Sequence, residues 1–310
     1  MDLFLGIDLG TSGCRAIVID SNHQIQAQTS TSIPAPLQQG VFVEQDPDLW
    51  WDAVCRVLYS LQNTISMQSI RAIAIDGTSG TLLAADEYGT PLDKALMYND
   101  ARSVEEAALI KKFAPPQSGA HGASSSLAKF LWMKRNDKLN NARRVLHQAD
   151  WIAGKLINTF KYSDENSALK LGFDPLTGAW PHWLSQLNID QKLLPEIVPR
   201  GTNVKVVSHQ AVEQFDFNYK TQVVAGTTDS IAATLATGAH KVGDAVTSLG
   251  STLVLKIFTQ TPISSPEHGV YSHRMGDLWL AGGASNSGGA VLKKYFTLDQ
   301  INAMSLEINP

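Results

Sequence analysis

The chain has 310 residues, 44% of them hydrophobic, and a formal net charge of −4 at pH 7; this is ample for a large core and suggests two domains. No lysine–arginine cluster is long enough to argue for nucleic acid or an anionic membrane surface, and no apolar run approaches a bilayer span. Two cysteines, Cys14 and Cys55, are too few for a disulfide framework and lack zinc-ligand spacing; with an acid at position 2 and no cationic leader region, a soluble cytoplasmic protein is expected.

In chain order, residues 3–9 (LFLGIDL) and 14–20 (CRAIVID) read as strands, joined by the glycines of GTSG, and SNHQ turns the chain into IQAQTSTSI. A three-strand antiparallel meander is expected. A glycine-rich turn with two hydroxyl residues suits phosphate, yet no G-K-[ST] follows and no helix opens after it. The turn leads from strand to strand, which excludes the dinucleotide-binding and P-loop folds. DPDLWWDAVCRVLYSLQNTI reads as a helix with Asp46 as N-cap and Pro47 at its first position. Its apolar residues Leu49, Trp50, Val54, Val57, Leu58 and Leu61 recur at helical spacing. IRAIAID, apolar on both faces, is an inner strand that ends at DGTSG before another strand, TLLAAD. Inner strands alternating with covering helices imply an α/β domain. Residues 103–195 are helix-rich, clearest in LAKFLWMKRN and ADWIAGKLINTF.

From residue 222, QVVAG is a strand, TTDSIAATLATG a capped helix of small residues, and AVTSLGSTLVLKIF a strand, glycine turn and strand. LGTSGCRAIVI (9–19) and LGSTLVLKIF (249–258) form a weak internal repeat, placed where a duplicated fold would carry a second phosphate hairpin.

These residues resemble the FGGY carbohydrate kinases of the actin-like ATPase superfamily from residue 3 to about 290. The motifs are GIDLGTSGCR (6–15), EQDPDLWW (44–51), LMYNDARS (96–103), the Lys129–Trp132 region, ADW (149–151), AGTTDSIAA (225–233) and SLGST (248–252). Within the family, DGTSG (76–80) together with LMYNDARS resembles the D-ribulose kinases; xylulokinases usually carry Gln-Met-His-Gly near that position. The resemblance implies a ribonuclease H-like α/β fold, a mixed sheet with flanking helices. It also implies a sugar- and phosphate-binding domain over 1–245 and the start of a nucleotide-side domain over 246–310. The expected activity is ATP-dependent phosphorylation of a pentulose, D-ribulose first and with a xylulokinase or other polyol kinase of the family as the alternative, with ATP and Mg²⁺ required and the oligomeric state left open.

The chemistry is phosphoryl transfer, largely positioning and charge neutralisation. Gly10, Thr11, Ser12 and Gly13 form one phosphate cradle, and Gly250, Ser251 and Thr252 the opposing hairpin. Asp8, beside the first turn, is expected to hold Mg²⁺. Arg15 either supports the loop or faces solvent. The resemblance makes Asp229 the general base toward the sugar hydroxyl, although an aspartate before an apolar run is also a routine cap. Here Gly226-Thr227-Thr228-Asp229 stands where the family often has Gly-Gly-Gly-Asp. Sugar contacts are expected from Thr78, Ser79, Asn99 and Asp100; Thr78 and Ser79 also read as a small-residue turn, and Asp100 and Arg102 as a cap for the following helix. Cys14 adjoins the turn, where oxidation would be felt.

Family members are longer and close with a domain whose glycine-rich turn binds adenosine. This chain reaches Pro310 early in that domain, and AGGASNSGG (281–289) is placed ahead of the adenosine loop. Two other readings compete with the kinase: a catalytically weak sugar-binding remnant, and an actin-like chaperone or filament ATPase without the sugar loop.

Overall fold

A computed structural model describes residues 2–249, 253–285, 289 and 291–307. Three strands open the chain: β1 (Leu3–Leu9), β2 (Gly13–Asp20) and β3 (Ile25–Ser32). Both neighbouring pairs are antiparallel, giving the expected meander. In β1 the alternate residues Leu3, Leu5, Ile7 and Leu9 are buried, so the period-two pattern aims one face at the core.

Helix α1 (Asp48–Gln62) follows. Pro47 takes the cap position, one residue later than expected, and Asp46 acts from outside through Oδ1, which accepts the Asp48 N–H at 3.0 Å. The buried stripe Trp50, Ala53, Val54, Val57, Leu58 and Leu61 lies against β2 and β3. Trp50 is fully buried; its ring N–H donates to Gln45 Oε1 at 2.6 Å, and its ring meets Trp151 edge-on at 6.2 Å between centroids. The helix returns the chain to Ile70–Gly77, which lies parallel to β1, as a strand–helix–strand crossover requires.

Seven strands make this sheet. In spatial order they are Asn203–Val206, Gln222–Val224, Ile70–Gly77, β1, β2 and β3, with Thr227–Thr228 pairing the far end of Ile70–Gly77. Parallel and antiparallel pairs coexist, so the sheet is mixed. A second sheet, with its own apolar core around Leu127, Phe130 and Leu184, orders Leu37–Gln39, Phe42–Gln45, Ala95–Leu96, Leu82–Ala85 and Arg144–His147. The TLLAAD strand belongs to this second sheet, and the helices Ser126–Arg135 and Gln148–Ile157 hold the two segments singled out in the helix-rich stretch.

The chain divides into compact units Met1–Ala232 and Ala233–Pro310. In the second, Ala245–Leu249 and Leu253–Thr259 form an antiparallel hairpin closed at Leu249↔Leu253. Leu278–Ser285 and Tyr271–Met275 extend it to four strands, so Ala281–Ser285 of the AGGASNSGG motif is strand, while residues 286–288 lie outside the described residues.

At Gly226 close approach to backbone requires glycine. A Cβ at Gly226 would sit 1.7 Å from the Ile75 carbonyl oxygen, because the chain runs close beside the central strand between its two pairings with it. Gly226→Ala is therefore expected to destabilise the protein by about 3 kcal/mol or more, at the upper end of overpacking costs, in urea unfolding. A change within about 0.5 kcal/mol, the range of an innocuous surface substitution, would show that the strands can part freely.

Candidate active site

Register places the acidic centre. In the β1/β2 pair Asp8 stands opposite Arg15, and in the parallel pair with Ile70–Gly77 it stands beside Asp76. The first neighbour makes a 2.9 Å ion pair, Arg15 Nη1 to Asp8 Oδ2, with the arginine side chain 60% exposed. Arg15 thus supports the loop side of Asp8 while still reaching solvent. The second neighbour makes a carboxylate pair. Burial first, then the charge of Asp8, a hydrogen bond shared with Asp8 and the charge of Asp229, push Asp76 up to about 8. Its Oδ1 is buried without a hydrogen-bond partner.

Thr227 pairs with Asp76 and Thr228 with Gly77, so Asp229 opens its helix at the same sheet end. Asp229 Oδ1 accepts the Ser230 N–H at 2.6 Å, a local contact that leaves the side chain partly exposed. Asp8 and Asp229, from two other segments, thus both act on Asp76. Asp76 is the member that reading the sequence missed; the signal was the shared ending Ile-Asp of GIDLG and AIDGT.

A cation fits this set. A carboxylate oxygen buried without a donor, held among like charges, suits a hard divalent ion. Among the described residues no set of three or more His, Cys, Asp or Glu side chains is gathered to hold a metal by protein ligands alone. Magnesium, which commonly keeps waters and substrate phosphates around one or two carboxylates, matches Asp8 and Asp76.

The turn beside them closes through Gly10 N–H to Gly13 O at 3.0 Å, with Thr11 half-buried and Ser12 exposed at its tip. The Gly10 N–H is thereby used within the turn. Cys14 is fully buried and its thiol is pushed up to about 12, first by burial and next by the Asp8 charge. Its burial and suppressed ionisation argue against a reactive thiol beside the turn. Gly250, Ser251 and Thr252 lie outside the described residues.

The 78–81 turn follows Asp76. Thr78 donates through N and Oγ1 to Gln148 Oε1, at 3.1 and 2.9 Å, and its hydroxyl lies 2.6 Å from that of Thr81. Ser79 offers its carbonyl to Lys170 Nζ at 3.2 Å. Lys129 is fully buried and donates to both Gly80 O and Met97 O at 2.7 Å, joining this turn to the LMYNDARS loop. Burial lowers its ammonium to about 7 against the nearby Asp100, with Lys170 and Arg102 adding repulsion. Asn99 is exposed on that loop. Asp100 is committed inward: its carboxylate accepts Val43 N–H at 2.6 Å and pairs with Arg102 at 2.7 Å. Arg102 also pairs with Glu44 and lies between the Phe42 and Trp132 rings, 4.4 and 4.7 Å from their centroids. Asp100 therefore shapes the loop from inside it.

One further constellation resembles a hydrolase triad. Ser126 Oγ lies 3.0 Å from His147 Nε2, and His147 Nδ1 lies 3.1 Å from Asp150 Oδ2. All three side chains are buried, and Asp150 also accepts the His147 backbone N–H as a helix cap. It is a buried helix cap.

Residues 3–236 match the N-terminal domain of the FGGY family of carbohydrate kinases. The chain belongs to this family. It is 24% identical to the xylulose kinase of Escherichia coli (strain K12) over 286 residues, covering 89% of this chain and 59% of that protein. The xylulose kinase structure from Brucella ovis superposes with a TM-score of 0.87 at 23% identity, over 94% of this chain and 63% of that one. A gluconate kinase structure from Lactobacillus acidophilus gives 0.86 at 20% identity, over 96% and 62%. The chain thus spans about three-fifths of the relatives it matches, and the likeness of the structures establishes the ribonuclease H-like α/β fold.

Lys129 supplies a pH test of the site's packing. Its folded-state pKa lies below the ordinary lysine value of about 10.4, so between about 7 and that value the unfolded chain binds more protons, and stability rises with pH. Urea unfolding from about pH 6.5 to 9.5 should show the protein gaining stability relative to Lys129→Met, at up to about 1.4 kcal/mol per pH unit for one proton. Parallel pH curves would show that Lys129 does not titrate early.

Proposed function

We propose that this chain carries the sugar- and phosphate-binding part of an ATP-dependent pentulose kinase that converts D-ribulose to D-ribulose 5-phosphate. The observation that carries the reading is the meeting of Asp8, Asp76 and Asp229 beside the 78–81 turn, in a chain of the FGGY family. In this reading the sugar lies against Thr78, Ser79 and Asn99. Asp229 accepts the proton of the attacking hydroxyl as its oxygen bonds to the γ-phosphorus. The bond between that phosphorus and the β–γ bridging oxygen breaks, and ADP leaves with the electron pair. Thr11 and Ser12 donate to phosphate oxygens. Asp8 and Asp76 would hold Mg²⁺, which when bound neutralises phosphate charge. Arg15 keeps Asp8 oriented. The free cysteines suit a reducing, cytoplasmic setting, and no helix among the described residues is long and apolar enough to cross a membrane.

D-ribulose is placed ahead of D-xylulose because DGTSG occupies residues 76–80. The relatives named xylulose kinase favour D-xylulose as the second reading, and the gluconate kinase neighbour is a reminder that this fold accommodates other acceptors. An ADP-release assay across D-ribulose, D-xylulose, gluconate and glycerol decides: D-ribulose should have the highest kcat/KM, and faster turnover of D-xylulose would transfer the assignment to the second reading.

The base assignment has its own test. Asp229→Ala should lower kcat by at least about 10²-fold, the lower range of general-base effects, with sugar affinity within about tenfold because a base acts mainly in the transition state. An active variant would make Asp229 a helix cap. Asp8→Ala should raise the Mg²⁺ concentration needed for half-maximal rate, and an unchanged requirement would remove Asp8 from the metal site.

A further inference from the structure

Lys170 lies in a short 3₁₀ turn, Ala168–Leu171, whose other three residues are buried. Packing therefore fixes the turn, and with it the direction of the lysine. Its Nζ donates to Ser79 O at 3.2 Å. Its stem runs over Gly80, where a Cβ would sit 3.2 Å from Lys170 Cδ; Gly80 itself holds φ +95°, a conformation that favours glycine. The next carbonyl along the turn, Gly80 O, is taken by Lys129. Two successive carbonyls of the 78–81 turn thus each meet a lysine, and these two like charges repel. Something must offset that cost. For Lys170 the offset is Asp229, whose charge supports the ammonium against burial.

The stretch that carries Lys170 is anchored at its other end too. Asp164 is buried, and its Oδ1 accepts the N–H groups of Asn166 and Ser167 at 2.8 and 3.1 Å, which sets the bend into the turn. Asn166 Nδ2 donates to Thr227 Oγ1 at 3.3 Å, on the short strand that leads into Asp229. Residues 164–171 therefore bond to the approach to Asp229 at one end and to the 78–81 turn at the other. These two features would hold the base and the sugar. A general base works only within hydrogen-bond reach of the proton it takes, about 2.6–3.2 Å, and a misplacement of about 1 Å costs about 10²-fold. The spacing between them therefore has to be stiff.

We propose that Lys170 is a positioning residue of this site, an ammonium that ties the 78–81 turn to residues 164–171, and through Asn166 and Thr227 to the approach to Asp229, so that the hydroxyl held by the turn is delivered to the base. The role rests on the kinase reading above, whereas the tie itself does not. Neither Lys129 nor Lys170 is interchangeable with a surface lysine here, because each donates to the turn's backbone.

The test uses Lys170→Met, which keeps the stem and removes the ammonium, and Lys170→Arg, which keeps the charge. In the Met variant, amide hydrogen exchange at residues 78–81 should accelerate about tenfold or more. Its kcat with D-ribulose or D-xylulose should fall about 10²-fold while KM for ATP stays within about twofold, and the Arg variant should recover much of the rate. Should the Met variant fail to fold, Lys170→Gln, which can still donate to Ser79 O, serves with the same readouts: protected amides with a lowered kcat support the role of the charge. Unchanged exchange at 78–81 in Lys170→Met overturns the tie. Faster exchange with unchanged kcat and KM overturns the positioning role. Faster exchange in a protein whose wild type phosphorylates none of the acceptors upholds the tie and overturns the kinase reading instead.

Discussion

The parallel pairing of Leu3–Leu9 with Ile70–Gly77 governs the rest of this site. Its register sets Asp8 beside Asp76, two carboxylates that repel and of which one is mostly shut away from water. Such an arrangement is unfavourable by itself; it is held by the apolar residues of the same two strands, each contributing about 1.5–3 kcal/mol on full burial. The strands end together, and β2 and Thr227–Thr228 bring Arg15 and Asp229 to the same end. In open α/β sheets the crevice outside the carboxyl ends of parallel strands is where ligands bind.

Around that acidic end the protein places cations inside itself. Lys129, Lys170 and Arg102 come from a helix, a 3₁₀ turn and a loop, in a chain whose net charge is negative. Each is committed to a defined acceptor: two backbone carbonyls for Lys129, Ser79 O for Lys170, and Asp100 with Glu44 for Arg102. Buried charges are tolerated when hydrogen-bonded and paired. Here their shared effect is to give two irregular loops fixed shapes. Gly80, with its positive φ, lets one loop present successive carbonyls to two lysines.

Much of the scaffold was legible in the sequence. The meander, the Asp48–Gln62 helix and the hairpin at 245–259 follow from apolar spacing and glycine position, and the structure holds all three. Asp8 and Asp229 were legible as strand-end and helix-start acids. Asp76 stands in DGTSG with no partner nearby in the chain, since its neighbour Asp8 lies far away in sequence. Asp100 read either as a sugar contact or as a cap of the following helix, and the structure turns its carboxylate inward to Val43 and Arg102.

The lysines mark the boundary most sharply. In sequence, Lys129 opens one of the motifs that carry the family resemblance and Lys170 lies in a helix-rich stretch, but neither shows a sign of burial, and such residues are normally solvated. Only the folded chain buries the first completely and brings the second to Ser79 O, within the field of Asp229. The sequence alone determined the strands, helices and turns, because periodicity and glycine's backbone freedom are properties of contiguous residues. The tertiary structure decided which acids meet, which cations are buried and which glycine cannot accept a Cβ, because strand register, desolvation and the field of neighbouring charges arise from residues that the chain brings together only on folding.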